Sequence, residues 1–277
     1  MITRRSFLAA AAVAPLRAAG GFALKIGVMD GVLRLSSKPE AVAMAKKVGV
    51  DGLQVTLGGE PGGDHLLLAD PDLQARYREE LKRHGIPIDA TYLNILHQSC
   101  LKNDPPSAQW VLRGIEATKR LGAPILMTVF FGKCSVLNRT ELEYVAASFK
   151  DLAKEAERAG IILGFENLLS AEDNMRAYDL VASPAFKIYY DIGNSTNVGG
   201  FDVPKEIRWL GRDRICQFHV KDKGYLGEGK VDVAAAVKAM KDIGFQGFAN
   251  LETSSPSGDV EKDTIRQLTY LRGLVNS

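Results

Sequence analysis

Eight short apolar runs, each followed by a longer stretch of helical periodicity, fill the chain from residue 24 to residue 274. The runs are 24–30, 52–57, 86–93, 125–130, 161–166, 187–191, 215–220 and 248–252. The helical stretches are 39–47, 71–84, 107–121, 140–159, 175–182, 204–210, 233–243 and 260–274. Runs this short, rich in β-branched and aromatic residues and flanked by helical patterns, read as buried parallel strands. Strict alternation of strand and helix implies right-handed crossovers within one parallel sheet. Eight units in a chain of this length favour a closed barrel, a fold that commonly runs to about 250 residues. An open doubly wound sheet would more often carry a GxGxxG turn after its first strand, and Lys25-Ile26-Gly27-Val28-Met29-Asp30-Gly31 is not one. The expected fold is α/β, a single (β/α)8 TIM barrel.

Local signals mark the boundaries. Pro39 and Pro71 suit first-turn positions, where a missing N–H costs nothing. Gly85, Gly122, Gly160 and Gly244 follow helices, as a left-handed C-terminal position requires. Thr140 precedes Glu143 by three residues, a capping box that would open the fourth helix. No Ser/Gly/Pro-rich linker or low-complexity tract divides residues 21–277.

Residues 1–20 read as a twin-arginine export signal rather than as part of the barrel. Thr3-Arg4-Arg5-Ser6-Phe7-Leu8 precedes an alanine-rich stretch at 9–14, then Pro15 and the small residues Ala18, Ala19 and Gly20. The expectation is an exported, periplasmic protein. Removing the leader takes away Arg4, Arg5 and Arg17, which leaves 32 basic against 33 acidic residues. No basic field remains to attract nucleic acid. No later segment approaches the ~20 apolar residues of a membrane span. Cys100, Cys134 and Cys216 lack CxxC spacing and cannot all pair, so they read as small buried or loop thiols.

The last four strands each end in a potential metal ligand: Glu166 in IILGFEN, Asp191 in FKIYYDIGN, His219 in RICQFHVKD and Glu252 in GFANLET. In a βα-barrel all C-terminal strand ends face one mouth. Two glutamates, an aspartate and an imidazole from consecutive strands would form an open site for Mn²⁺ first, with Mg²⁺, Co²⁺ or Zn²⁺ as alternatives. Lys221 lies two residues beyond His219 and so on the same side of its strand. It could bind a substrate oxygen, protonate a leaving hydroxide, or pair with a neighbouring carboxylate.

With these residues in place, the chain resembles the xylose isomerase-like barrels. That group includes sugar isomerases and epimerases, hydroxypyruvate isomerases, inosose dehydratases and an apurinic endonuclease branch. The resemblance rests on Gly164-Phe165-Glu166-Asn167, Asp191-Ile192-Gly193-Asn194, His219-Val220-Lys221-Asp222, the run 227–232, Gly247-Phe248 and Glu252, in order and at matching spacing. It implies a metal-dependent sugar or keto-sugar isomerase/epimerase. In such an enzyme Glu166 and Glu252 both hold the ion and act as the acid–base pair through an enediolate. It also implies Glu172 near the substrate's terminal hydroxyls. Asn194 stands where the family often has a substrate-contacting His; it can hydrogen-bond a hydroxyl but cannot shuttle a proton. The loop after the metal His carries Lys223, Gly224 and Tyr225 rather than the basic residue of the ketose epimerases. The His-Val-Lys-Asp form is closer to inosose dehydratases, so a lyase acting on an inosose-like keto-polyol or a 3-keto-glycoside is the first rival. The endonuclease branch needs more histidines than the four present.

Of the remaining residues, His97 follows the third strand at the mouth and is a candidate substrate contact. Phe130 and Phe131 end the fourth strand; an aromatic there could stack on a sugar face, although a core or rim hydrophobe is the commoner role. His84 closes the second helix, where a cation favours the helix dipole, and His65 sits in a Gly-rich loop. Trp110 and Trp209 fall on helical patterns and are expected to pack against the barrel. The partner expected is a small carbohydrate, with no nucleic acid and no membrane after leader cleavage; homo-oligomerisation is left open.

Overall fold

The alternation along the chain becomes a closed ring in the computed structural model, which describes residues 22–60 and 62–277. The leader expected at residues 1–20 lies outside the described residues. Strands β1 (Ala23–Met29), β2 (Gly52–Thr56), β3 (Ile88–Tyr92), β4 (Ile125–Val129), β5 (Ile162–Glu166), β6 (Phe186–Asp191), β7 (Ile215–Val220) and β8 (Gln246–Leu251) pair in that order. β8 then closes on β1 in parallel, from Ala23 opposite Gln246 to Val28 opposite Leu251. That long pairing explains why β8 begins two residues earlier than its apolar run suggests: β1 supplies ladder partners for Gln246 and Gly247.

The wrapping helices are α1 (Glu40–Val48), α2 (Pro71–His84), α3 (Ser107–Leu121), α4 (Arg139–Ala159), α5 (Ala171–Val181), α6 (Val203–Leu210), α7 (Val233–Asp242) and α8 (Val260–Asn276). α3 shows why the sequence chooses helix: Trp110, Val111, Gly114, Ile115, Thr118 and Leu121 are buried at i, i+3, i+4 spacing along one face. Gly122 then ends it with φ 74°. α2 begins with Pro71 just after Asp70, whose Oδ1 accepts from the Leu73 amide at 2.7 Å.

Two boundaries differ from the sequence reading. α4 is capped by Asn138, whose Oδ1 accepts from Glu141 N, while Glu141 Oε2 accepts from Leu137 N at 2.7 Å. The reciprocal cap is therefore Asn138 with Glu141, not Thr140 with Glu143. α5 starts at Ala171, four residues earlier than residue 175, because Ser170 accepts from Asp173 N and two acidic residues favour the first turn.

Outward-facing strand side chains bury against the helices. Phe130, Phe149, Phe165 and Phe186 form one aromatic cluster between β4–β6 and α4, with ring centroids 4.8–5.9 Å apart. Trp110 is buried as expected, whereas Trp209 is 51% exposed. Trp209 sits on α6 beside Leu210, and it is Val203, Ile207 and Leu210 that take the barrel-facing stripe of that helix.

The three cysteines do not all remain thiols. Cys100 and Cys134 form a disulfide, and Cys216 is free. The reason is topological: the loops after β3 and β4 leave adjacent strand ends, which brings Cα atoms 34 residues apart in sequence to 4.9 Å.

Candidate metal centre

Each ligand candidate is placed by its strand. In a parallel barrel, ladder partners face the same side. Asp191 pairs with His219, and His219 with Asn250, so these side chains share the barrel interior, with Glu252 one inward position above Asn250. Glu166 pairs with Val129 on the other flank. The ligand atoms of Glu166, Asp191, His219 and Glu252 all lie within 4.8 Å of one another.

Within this cluster, His219 Nδ1 is 2.7 Å from Glu166 Oε1 and 3.2 Å from Glu252 Oε2. The Lys221 ammonium is 2.7 Å from both Glu252 Oε2 and Asp191 Oδ2. Lys221 reaches Asp191 because Gly193 leaves room, since a Cβ there would fall 2.3 Å from Lys221 Cγ and 2.9 Å from its carbonyl oxygen. Asp191 Oδ1 is held by the amides of Gly193 and Asn194, at 2.8 and 2.9 Å. The Asp-Ile-Gly-Asn turn thus caps the aspartate and makes way for the lysine.

The electrostatics are those of a site that wants a cation. Burial pushes the Asp191 carboxyl up, reinforced by the Glu252 charge and opposed by Lys221. Burial works against the His219 charge, but Glu166 and Glu252 outweigh it and raise the imidazole to about 10. Burial also opposes ionisation of Glu252, yet His219 and Lys221 hold it well below the usual carboxylate range. Lys221, disfavoured by burial, is kept charged by Asp191 and Glu252.

The residues fit a divalent ion. Three carboxylates and one imidazole form a hard-to-borderline donor set. Asp191 Oδ2 is fully buried and is met by the Lys221 ammonium at 2.7 Å, so the pocket already draws a cation to this oxygen.

The other predicted positions separate. Asn194 is half-buried in the turn after Asp191, beside the cluster. His97 is half-buried at the mouth, hydrogen-bonded through Nε2 to Tyr92 Oη at 2.6 Å; burial lowers its pKa. Phe130 does not reach the mouth. Val129 shares its face with Glu166, so Phe130 points outward and is 1% exposed in the aromatic core. Phe131, the next residue, stacks on His97 with centroids 5.9 Å apart. Glu172 is exposed on the first turn of α5 and lines an outer groove with Phe201, Lys205 and Trp209, whose lining includes none of the four ligands. Asp222 organises the loop after β7, accepting from Lys223 N at 2.8 Å and Gly229 N at 3.0 Å. His65 is exposed beside Asp64, and His84 lies 3.2 Å from Glu80 on α2.

Sequence reasoning missed Gln54 and did not decide which of Phe130 and Phe131 faces the mouth. Gln54, on β2, is fully buried, and its Oε1 lies 2.7 Å from His219 Nε2. Its signal was available as an uncharged polar residue in the otherwise apolar run Leu53-Gln54-Val55, which must find buried partners. The Phe131 signal was the twofold alternation of β4.

The family model for the xylose isomerase-like TIM barrel matches residues 42–274. A 2-epi-5-epi-valiolone 7-phosphate 2-epimerase from Actinoplanes sp. is 27% identical over 213 residues, covering 73% of this chain and 76% of that protein. Among solved structures, a D-allulose 3-epimerase from Methylomonas sp. superposes with TM-score 0.73 at 18% identity, over 92% of this chain and 100% of that one. A 3-keto-D-glucoside 4-epimerase from E. coli gives TM-score 0.71 at 17% identity, over 90% and 99%.

Proposed function

The chain belongs to the xylose isomerase-like TIM barrel family, and from that premise we propose that it is a divalent-metal-dependent isomerase or epimerase of a sugar or keto-sugar. The observation that carries this reading is the meeting of Glu166 from β5 and Glu252 from the end of β8 at one four-ligand centre. A divalent ion held by Glu166, Asp191, His219 and Glu252, Mn²⁺ first among Mg²⁺, Co²⁺ and Zn²⁺, supplies stabilisation of the negative charge that grows on a substrate carbonyl oxygen. The two glutamates come from strands on different flanks of the cluster. One can take the proton from the carbon beside the carbonyl while the other returns a proton to the opposite face. Lys221 keeps Glu252 ionised and so able to act as a base. Asn194 offers a hydrogen bond to a hydroxyl, and the His97–Phe131 stack provides an apolar wall for a sugar ring. The epimerases among the relatives, acting by name on sugars and a cyclitol phosphate, support the same substrate class.

A lyase is the second reading, favoured by the Lys221 ammonium, which lies in the cluster as a proton donor for a departing hydroxide. One experiment separates the two. Ketoses, inososes and 3-keto-glycosides are incubated with Mn²⁺-loaded protein in D₂O. Deuterium at a single carbon with the skeleton intact is the expected result; loss of water or an aglycone would assign the lyase, and no exchange with any substrate despite bound metal would leave neither. For residues 1–20, Arg4-Arg5 and the alanine stretch support export by the twin-arginine route. Arg4→Lys/Arg5→Lys should retain the precursor in the cytoplasm.

A further inference from the structure

We propose that Gln54, itself held by Asn250 and Asp89, is a positioning residue that fixes which nitrogen of His219 faces the metal; this rests on the metal-centre reading above. The hydrogen bonds run upward from the barrel floor. Asp89 on β3 is buried, and its Oδ1 accepts from Gln217 Nε2 at 2.7 Å and from Asn250 Nδ2 at 2.8 Å. Glycines make space for this pair. A Cβ on Gly27 would fall 1.9 Å from Asn250 Oδ1 and 2.6 Å from Asp89 Oδ2.

Because Asp89 draws the amide nitrogen of Asn250, the same nitrogen also reaches Gln54 Oε1, at 3.2 Å. The Tyr189 hydroxyl donates to that oxygen at 3.3 Å. Gln54 Nε2 turns away to Met127 Sδ, 3.2 Å distant. Reversing the Gln54 amide would bring its NH₂ against the Asn250 NH₂, which cannot accept, in a fully buried interior, so the oxygen is the atom His219 meets. A carbonyl oxygen only accepts. The 2.7 Å contact with His219 Nε2 therefore requires the proton to sit on Nε2. Nδ1 faces Glu166 and Glu252, which hold a proton on it in the absence of metal; an ion that displaces that proton would take the lone pair. Met127, Tyr189, Gln217 and Asn250 are each apolar or uncharged, and the network's one carboxyl, Asp89, meets His219 only through Asn250 and Gln54.

The chain has four histidines, which makes direct observation practical. Protein labelled with ¹⁵N-histidine is examined by NMR metal-free and loaded with Zn²⁺, with His219→Ala identifying the resonance. In the wild type the expected result is a slowly exchanging proton on Nε2 in both states and a zinc-induced shift at Nδ1. Gln54→Met, which cannot accept, should lose that protection and weaken zinc binding about 10–100-fold in chelator competition. Gln54→Glu keeps an acceptor and should hold affinity within a few-fold of wild type. A zinc-loaded wild type protonated on Nδ1 overturns the proposal alone, as does a folded Gln54→Met with unchanged affinity and a protected Nε2 proton. The wild-type spectrum decides if Gln54→Met fails to fold. A wild type that keeps the protected proton but takes up no zinc overturns the metal centre, and the proposal with it.

Discussion

Strands β5 to β8 end in Glu166, Asp191, His219 and Glu252, whereas β1 to β4 lead into Asp30, the Thr56 turn, the Tyr92–His97 pair and Phe131. The first semicircle concentrates charge. The second contributes an imidazole whose charge burial disfavours, aromatic rings and, at its strand ends, one buried carboxyl tied up by Thr56 and Ser37. The two are also fastened differently. The Cys100–Cys134 disulfide joins the loops after β3 and β4, and Lys102 reinforces it by donating to Ser135 O at 2.7 Å. The loop after β7 is instead tied to α8 by non-covalent contacts: Tyr225 Oη to Asp263 Oδ1 at 2.7 Å, Leu226 N to Gln267 Oε1 at 2.8 Å, and the Arg266–Glu228 ion pair. One barrel mouth thus divides into an arc that carries the metal-ligand candidates, the proposed reacting arc, and a supporting arc whose loops are cross-linked.

The largest expected effect lies in the reacting arc. Glu252→Gln keeps the shape but removes the base, and substrate deuterium exchange should fall by about 10² or more. An exchange rate close to wild type would break the assignment of chemistry to β5–β8. Next is the staple. Cys100→Ser/Cys134→Ser should lower unfolding free energy by about 3–4 kcal/mol, the loop-entropy figure for a 34-residue separation. Denaturant titration reads it as a lower midpoint; an unchanged midpoint would mean that Lys102 and its partners suffice to hold the loops.

A smaller effect is pH-dependent and belongs to the supporting arc. Burial, opposed by hydrogen bonds from Thr56 and Ser37, raises Asp30 from 3.8 to about 6. A carboxyl with a raised native pKa contributes stability that is complete below its unfolded value and is lost as pH rises through about 6. Stability of the wild type relative to Asp30→Asn should therefore decline between pH 4 and 7, by about 1–3 kcal/mol. An increase over that range would show that the three hydrogen bonds outweigh burial. Smallest is His97→Ala, expected to raise KM about tenfold, about 1.4 kcal/mol, with little change in kcat. A loss as large as that of Glu252→Gln would erase the distinction between the arcs.

The four ligand candidates could be read from the sequence because each sits at the end of its own apolar run, and strand ends share one face of a barrel whatever the details. Phe130 was misplaced although its run was correctly seen. The register that puts Val129 beside Glu166 fixes which of two adjacent phenylalanines points inward. Cys100 and Cys134 gave no spacing signal, because only adjacency of β3 and β4 brings their loops together. Glu172 takes the exposed first-turn position of α5, which Ser170 caps, and lines a groove with Phe201, Lys205 and Trp209.

What the amino-acid order determined by itself was the eightfold alternation, the closed parallel barrel and the four metal-ligand candidates. Periodicity, caps and strand-terminal residues are local properties, complete within about twenty residues. The tertiary structure alone decided the orientation of the Gln54 amide, the nitrogen of His219 that faces the carboxylates, the cross-link and the exposure of Trp209. Each depends on side chains from strands or helices far apart in sequence, meeting in a dry interior where an unmatched donor or acceptor has no water to turn to.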